Sequence, residues 1–152
     1  MNTRRLFATV AATASLATLA ACSSGPATVL TDTDQSRLTA YAGEAEVVAV
    51  AMHADWCGAC QQLGPKMQQA ATDLDDPRLT LVKADLTDRD SPTGERTLDE
   101  IGLSSLFESN GGATGVVYLI DAETGAMLGE ITNGNSAASI REKLSDAIAT
   151  AS

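Results

Sequence analysis

Cys57 and Cys60 stand three positions apart in the run Trp56-Cys57-Gly58-Ala59-Cys60. Two thiols at this spacing can close into a disulfide. As a structural staple such a ring gains little, because the chain entropy removed from the unfolded state grows with the length of the loop closed. A structural zinc site wants four ligands, and the sequence brings only these two cysteines and His53, its one histidine, near one another. The pair therefore reads as reactive rather than structural.

The segments on either side must position it. Val47-Val48-Ala49-Val50-Ala51-Met52 is a continuous apolar run with β-branched residues, the signature of a strand buried on both faces. From Cys57 a helical pattern runs through Leu63, Met67, Ala70, Ala71 and Leu74, and Gly64-Pro65 predicts a kink in its second or third turn. Asp75-Asp76-Pro77 stops it. Upstream, Asp32 or Asp34 caps a helix carrying Leu38 and Tyr41, which Gly43 ends.

Downstream, residues 79–84 read as a second strand and residues 85–94 as a polar loop, with Ser91-Pro92 starting a helix that carries Leu98 and Ile101. Residues 116–120 and 126–131 flank Asp121-Ala122-Glu123-Thr124-Gly125, a hairpin signal. Ser136 opens a last amphipathic helix with Ile140, Leu144 and Ile148. The order helix, strand, helix, strand, helix, hairpin, helix predicts an α/β fold, a central mixed sheet with helices on both faces. There are no internal repeats.

The 152 residues suit one small domain. Ten Lys and Arg against twenty Asp and Glu give a net charge of −10, the wrong sign for neutralising phosphates, so nucleic acid is excluded as a partner. A composition 44% hydrophobic and 20% charged belongs to a folding chain. With one Trp, two Tyr and two Phe, aliphatic residues must fill the core.

At the N-terminus Arg4 and Arg5 lead into an apolar stretch over residues 6–21, the layout of a secretory signal peptide. It ends in Leu19-Ala20-Ala21-Cys22, which resembles the lipobox of bacterial lipoproteins, where cleavage makes a lipidated cysteine the first residue. The alternatives are an ordinary cleaved signal or an uncleaved anchor, but an apolar run of about sixteen residues falls short of the roughly twenty needed to span. Thr3-Arg4-Arg5-Leu6-Phe7 also looks like the opening of a twin-arginine export signal. The expected organisation is a lipoprotein signal over 1–21, a small polar tether over 22–31 and a folded domain over 32–150. Cleavage removes two arginines and no acid, leaving the exported part more acidic still. With Cys22 lipidated, Cys57 and Cys60 are the remaining cysteines, in a compartment that permits disulfides.

At Trp56-Cys57-Gly58-Ala59-Cys60 the chain resembles the thioredoxin superfamily, and the match extends to Pro65, where that family places its helix-kinking proline. Ala54-Asp55-Trp56-Cys57-Gly58-Ala59-Cys60 with Val82-Lys83-Ala84-Asp85-Leu86-Thr87 resembles the periplasmic C-terminal domain of the membrane thiol reductase DsbD and its relatives. The likeness covers roughly residues 32 to 150 and is loose over 88–112. It implies a thioredoxin-like fold. A cysteine at the first turn of a helix faces unpaired N–H groups and the positive end of the dipole, which makes Cys57 the nucleophile. Cys60, one turn deeper and shielded, then resolves the mixed disulfide. Trp56 either covers the site as an apolar platform or fills the core.

Three positions depart from the family pattern. Ala51 stands where the family keeps a buried carboxylate, which leaves Lys83 to turn to solvent or find another acid. His53, at a position often aromatic, either donates to the Cys57 thiolate or fills space beneath the loop. The family's cis-proline has no proline to match it, and Gly115, after Thr114, takes its place; glycine adopts the required backbone without enforcing it.

The expected function is a membrane-tethered thiol-disulfide oxidoreductase of the bacterial envelope, reducing protein disulfides and recharged by a membrane thiol donor, with neither cofactor nor metal. It would be anchored through Cys22 and face the periplasm, and Ser23 suits the outer membrane in a Gram-negative host. The alternative is a binding module or metallochaperone whose two thiolates hold a soft metal such as Cu(I).

Overall fold

The apolar run that begins at Val47 forms the strand around which the rest is assembled. The computed structural model describes residues 32–151, so the expected signal over 1–21, the expected tether over 22–31 and Cys22 lie outside the described residues. In chain order the elements are α1 (Asp32–Ala42), β1 (Val47–His53), α2 (Gly58–Leu74), β2 (Leu79–Asp85), α3 (Thr93–Glu100), α4 (Ser104–Asn110), β3 (Val116–Asp121), β4 (Met127–Thr132) and α5 (Ala137–Ala151).

The sheet order is β2-β1-β3-β4. β1 runs parallel to β2, from Val47 opposite Leu79 to His53 opposite Asp85. It runs antiparallel to β3, which pairs antiparallel with β4. This is the mixed α/β sheet expected, and its alternation divides the core. Val48, Val50 and Met52 face α1, α3 and α4, packing with Leu38, Leu98, Leu103 and Leu106. Val47 and Ala49 face α2 and α5, packing with Leu63, Met67, Ile140 and Leu144. With helices on both faces, β1 has no solvent side, which is why its sequence does not alternate.

α2 continues past Pro65 to Leu74. Proline lacks the N–H that would reach the carbonyl of Gln61, so that turn is held by its neighbours. Asp75 ends the helix in the left-handed region at φ 45°, its N–H donating to the Ala71 carbonyl.

Two expectations need correction. Tyr41 does not join Leu38 inside but is exposed, and Ala42, a full turn on from Leu38, takes the inward place. α4 was not anticipated, because Leu106 is the one buried residue within it and its signal was too short to read as amphipathic. It forms because Leu103 and Leu106 complete the core beside Leu98 and Ile101. The turn between α3 and α4 requires Gly102: φ is +78° and a Cβ would lie 2.1 Å from the Asp34 carbonyl oxygen of α1.

Candidate active site

β1 delivers the chain to the sheet's end at His53, and Cys57 then caps α2. Its backbone is extended (φ −86°, ψ 105°) and its Sγ accepts the Cys60 N–H at 3.1 Å. No acidic residue sits in the first turn of α2 to oppose a negative charge there. Sulfur at an N-cap is polarised by a free N–H and by the helix dipole, and both favour thiolate over thiol. Cys57 and Cys60 form a disulfide with their Cα atoms 5.2 Å apart. Cys60 Sγ lies 3.7 Å from the Met52 carbonyl oxygen, an acceptor for its proton when reduced.

The two cysteines are 7% and 5% exposed, so the difference in shielding expected between them is small. What separates them is electrostatic: one sulfur receives an N–H, the other faces a carbonyl oxygen.

Gly115 lies where the family likeness placed it, against the dithiol. A Cβ there would stand 3.4 Å from Cys57 Sγ and 2.8 Å from the Ala59 Cβ. Its backbone is not that of a relaxed proline. φ is +88°, which proline's ring forbids, and its N–H donates to the Met52 carbonyl at 2.9 Å, a bond proline cannot make. The expectation that glycine merely fails to enforce a proline backbone is therefore corrected. Thr114, before it, is half-buried, as is Ala59, whereas Gly58 and Pro65 are exposed on α2.

Trp56 is 50% exposed, which rules out core filling and leaves the platform. Its indole N–H donates to the Thr87 carbonyl at 2.9 Å, and the Arg89 guanidinium lies 4.4 Å from the ring centroid. Beside it opens a groove of about 510 Å³ lined by Leu86, Arg89, Pro92, Phe107 and Gly112.

His53 does not serve Cys57 in this arrangement, since its Nε2 lies 3.1 Å from Asp55 Oδ1. Its ring instead borders a second cavity, about 370 Å³, shared with Ala51, Cys60, Leu63 and Val117. Ala51 thus leaves space, not a carboxylate, behind the resolving cysteine. Lys83 has found another acid, Asp85, at 3.1 Å.

Asp85 and Thr87, quoted in the family likeness, were given no role by the sequence reading, which took 85–94 as a polar loop. Asp85 Oδ1 accepts the Thr87 N–H at 3.0 Å and the Thr87 hydroxyl at 2.5 Å. These bonds, with Lys83 behind them, hold the Asp85 carboxyl down at about 2. The hydroxyl of Thr87 in turn accepts the Asp55 N–H at 3.0 Å. Asp-x-Thr at the end of a strand is a side-chain-stabilised turn signal, and it was legible. Among the described residues no group of three or more His, Cys, Asp or Glu is placed to hold a metal ion.

A family model described as Thioredoxin matches residues 28–111. The chain is 43% identical over 58 residues to a protein disulfide-isomerase, erp38, of Neurospora crassa, covering 38% of this chain and 15% of that one. It is 39% identical over 51 residues to a protein disulfide-isomerase of Aspergillus oryzae, covering 34% and 10%. The chain thus spans a small part of the length of these relatives. The relatives matched are fungal protein disulfide-isomerases, and the expected likeness to DsbD is corrected to these. No solved structure matches the chain.

Proposed function

The chain belongs to the thioredoxin family, and from that membership we propose that it is a thiol-disulfide oxidoreductase acting on protein disulfides through Cys57 and Cys60. The observation that carries this is the Cys57–Cys60 disulfide at the cap of α2, with Cys57 Sγ accepting the Cys60 N–H.

Reduction of a substrate proceeds by two exchanges at sulfur. The Cys57 thiolate attacks one sulfur of the substrate disulfide, whose bond breaks; the released sulfur takes a proton and a mixed disulfide remains. Cys60 loses its proton and attacks Cys57 Sγ, expelling the second substrate sulfur. The substrate gains two electrons and two protons, and the chain is left oxidised until an external dithiol reverses the sequence. Ala51 supplies no base for the Cys60 proton, so water or another group must take it.

Reduction of insulin disulfides by the full chain with a thiol donor tests this reading. Cys57→Ser should abolish turnover, and Cys60→Ser should trap mixed disulfides that vanish under reductant. A wild-type protein that neither reduces nor oxidises a model disulfide overturns it.

The same proposal places the domain in the bacterial cell envelope, tethered by lipid on Cys22, facing the periplasm and recharged by a membrane thiol donor. Support comes from Leu19-Ala20-Ala21-Cys22 behind the Arg4-Arg5 stretch. Mass spectrometry of the mature N-terminus decides the anchor: an unmodified terminus, or one at any other residue, refutes it. Trapping the redox state of Cys57 and Cys60 in living cells decides direction. Mostly dithiol supports reduction of substrates; mostly disulfide would turn the proposal toward oxidation.

A further inference from the structure

Trp56 is the chain's one tryptophan, and its indole N–H is held from the end of β2, not from the loop that carries it. The Asp85 carboxylate takes both donors of Thr87, the backbone N–H and the hydroxyl. A hydroxyl has one hydrogen and two lone pairs. With its hydrogen committed to Asp85, a lone pair is aimed at the Asp55 N–H. The Thr87 carbonyl then receives the indole N–H of Trp56. The segment is itself anchored, because the Leu86 N–H donates to the His53 carbonyl at 2.7 Å and Lys83 takes the other Asp85 oxygen. Arg89, two residues beyond Thr87, covers the ring.

We propose that Thr87, fixed by Asp85, is the positioning residue of this site: it sets the Trp56 ring and the Asp55 backbone beside Cys57, and so governs docking of a polypeptide disulfide. This rests on the oxidoreductase reading. None of these bonds reaches Cys57 Sγ, whose N–H comes from Cys60. The device acts on the platform the substrate meets and leaves the nucleophile's reactivity alone. That division is what a merely structural role would not produce.

The test uses the full chain, reduced, as wild type, Thr87→Val, Thr87→Ser and Asp85→Asn. Because Trp56 is the one tryptophan, intrinsic fluorescence reports its ring directly. Thr87→Val keeps the main-chain carbonyl that takes the indole N–H but removes the hydroxyl that ties this segment to Asp85 and Asp55, so it should shift the emission and raise KM for insulin by about tenfold. kcat and the alkylation rate of Cys57 should stay within about twofold, as for a change that does not reach the sulfur. Thr87→Ser should restore emission and KM, and Asp85→Asn should resemble Thr87→Val. Unchanged emission and KM in Thr87→Val overturn the proposal. So does a parallel loss of Cys57 alkylation, or a failure of Thr87→Ser to rescue. Should Thr87→Val fail to fold by circular dichroism, Asp85→Asn against wild type decides by the same criteria. An inactive wild type would instead remove the oxidoreductase reading, while the emission of the variants would still decide whether Thr87 holds the ring.

Discussion

Gly115 faces Cys57 with a hydrogen where any other residue would carry a side chain, and a Cβ there would lie 3.4 Å from the sulfur. The same Cβ would come to 2.8 Å from that of Ala59, closer than carbon atoms pack, on a backbone at φ +88°. Gly115→Ala should therefore destabilise the fold by about 1–3 kcal/mol and slow insulin reduction. Gly115→Pro should be worse, since it also removes the N–H given to Met52 and cannot take this φ. Urea titration and turnover measure both. A proline variant as stable as wild type and faster would show that the site tolerates the family residue, against this geometry.

In the reduced protein Cys57 should alkylate at least about tenfold faster than Cys60 at neutral pH, because thiolate fraction sets the rate. Their similar burial means that access contributes little to the difference. Timed labelling followed by peptide mass analysis reads both sites at once. Equal rates would remove the electrostatic asymmetry that the Cys60 N–H is argued to create.

Ala51→Asp should shorten the life of the mixed disulfide by placing a base in the cavity behind Cys60. Lys83 stands opposite position 51 across the β1–β2 ladder, but it is engaged with Asp85. Pairing with the new acid would compete with that bond, so a stability cost of about 1–3 kcal/mol is expected. Single-turnover quenching and chemical denaturation separate the two effects. Unchanged resolution would mean that the second step does not wait on a base at position 51.

Asp85 gives the site an acid limit. Its carboxyl is held from 3.8 down to about 2, chiefly by the Thr87 hydroxyl and then by the Thr87 N–H and Lys83. A carboxyl lowered in the folded state adds stability that is complete above its unfolded value and is lost as pH falls through the folded one. Stability should therefore begin to fall below about pH 4, while Trp56 emission, which follows Asp85 in the folded protein, should hold to about 3 and change as pH passes through about 2. In Asp85→Asn this step should be absent. A wild-type transition centred near pH 6 would point to a different group.

The sheet and the dithiol were legible because they rest on patterns that local chemistry enforces. Val47 to Met52 admits few environments other than a strand covered on both faces, and cysteines three apart before a helical period have few roles. The hairpin after Val116 declared itself through Gly125. What escaped was tertiary. α4 has too few buried residues to register as a period, and it exists because Leu103 and Leu106 find Leu98. The backbone of Gly115 could not be read from its neighbours, since its sign follows from the closeness of Ala59 and the carbonyl of Met52. His53 was matched to Cys57 by position, whereas Asp55, two residues away, captures its ring. Asp85 and Thr87 were visible as a turn, but their tie to Trp56 crosses between strands and has no signature in either segment alone.

The order in which the strands pair bears on how the protein is made. β1, α2 and β2 are consecutive, whereas β3, which brings Gly115, joins β1 only after α3 and α4 have intervened. Contacts between distant segments form late, and synthesis delivers the N-terminal parts first. A growing chain that has not yet reached Gly115 already displays Cys57 and Cys60 as two neighbouring thiols, open to any oxidant it meets. The glycine that packs against the Cys57 sulfur arrives with the second half of the sheet. A chain of this design is handed its dithiol before the backbone that closes against it, and a mutation that delays β3 would lengthen that exposure without touching either cysteine.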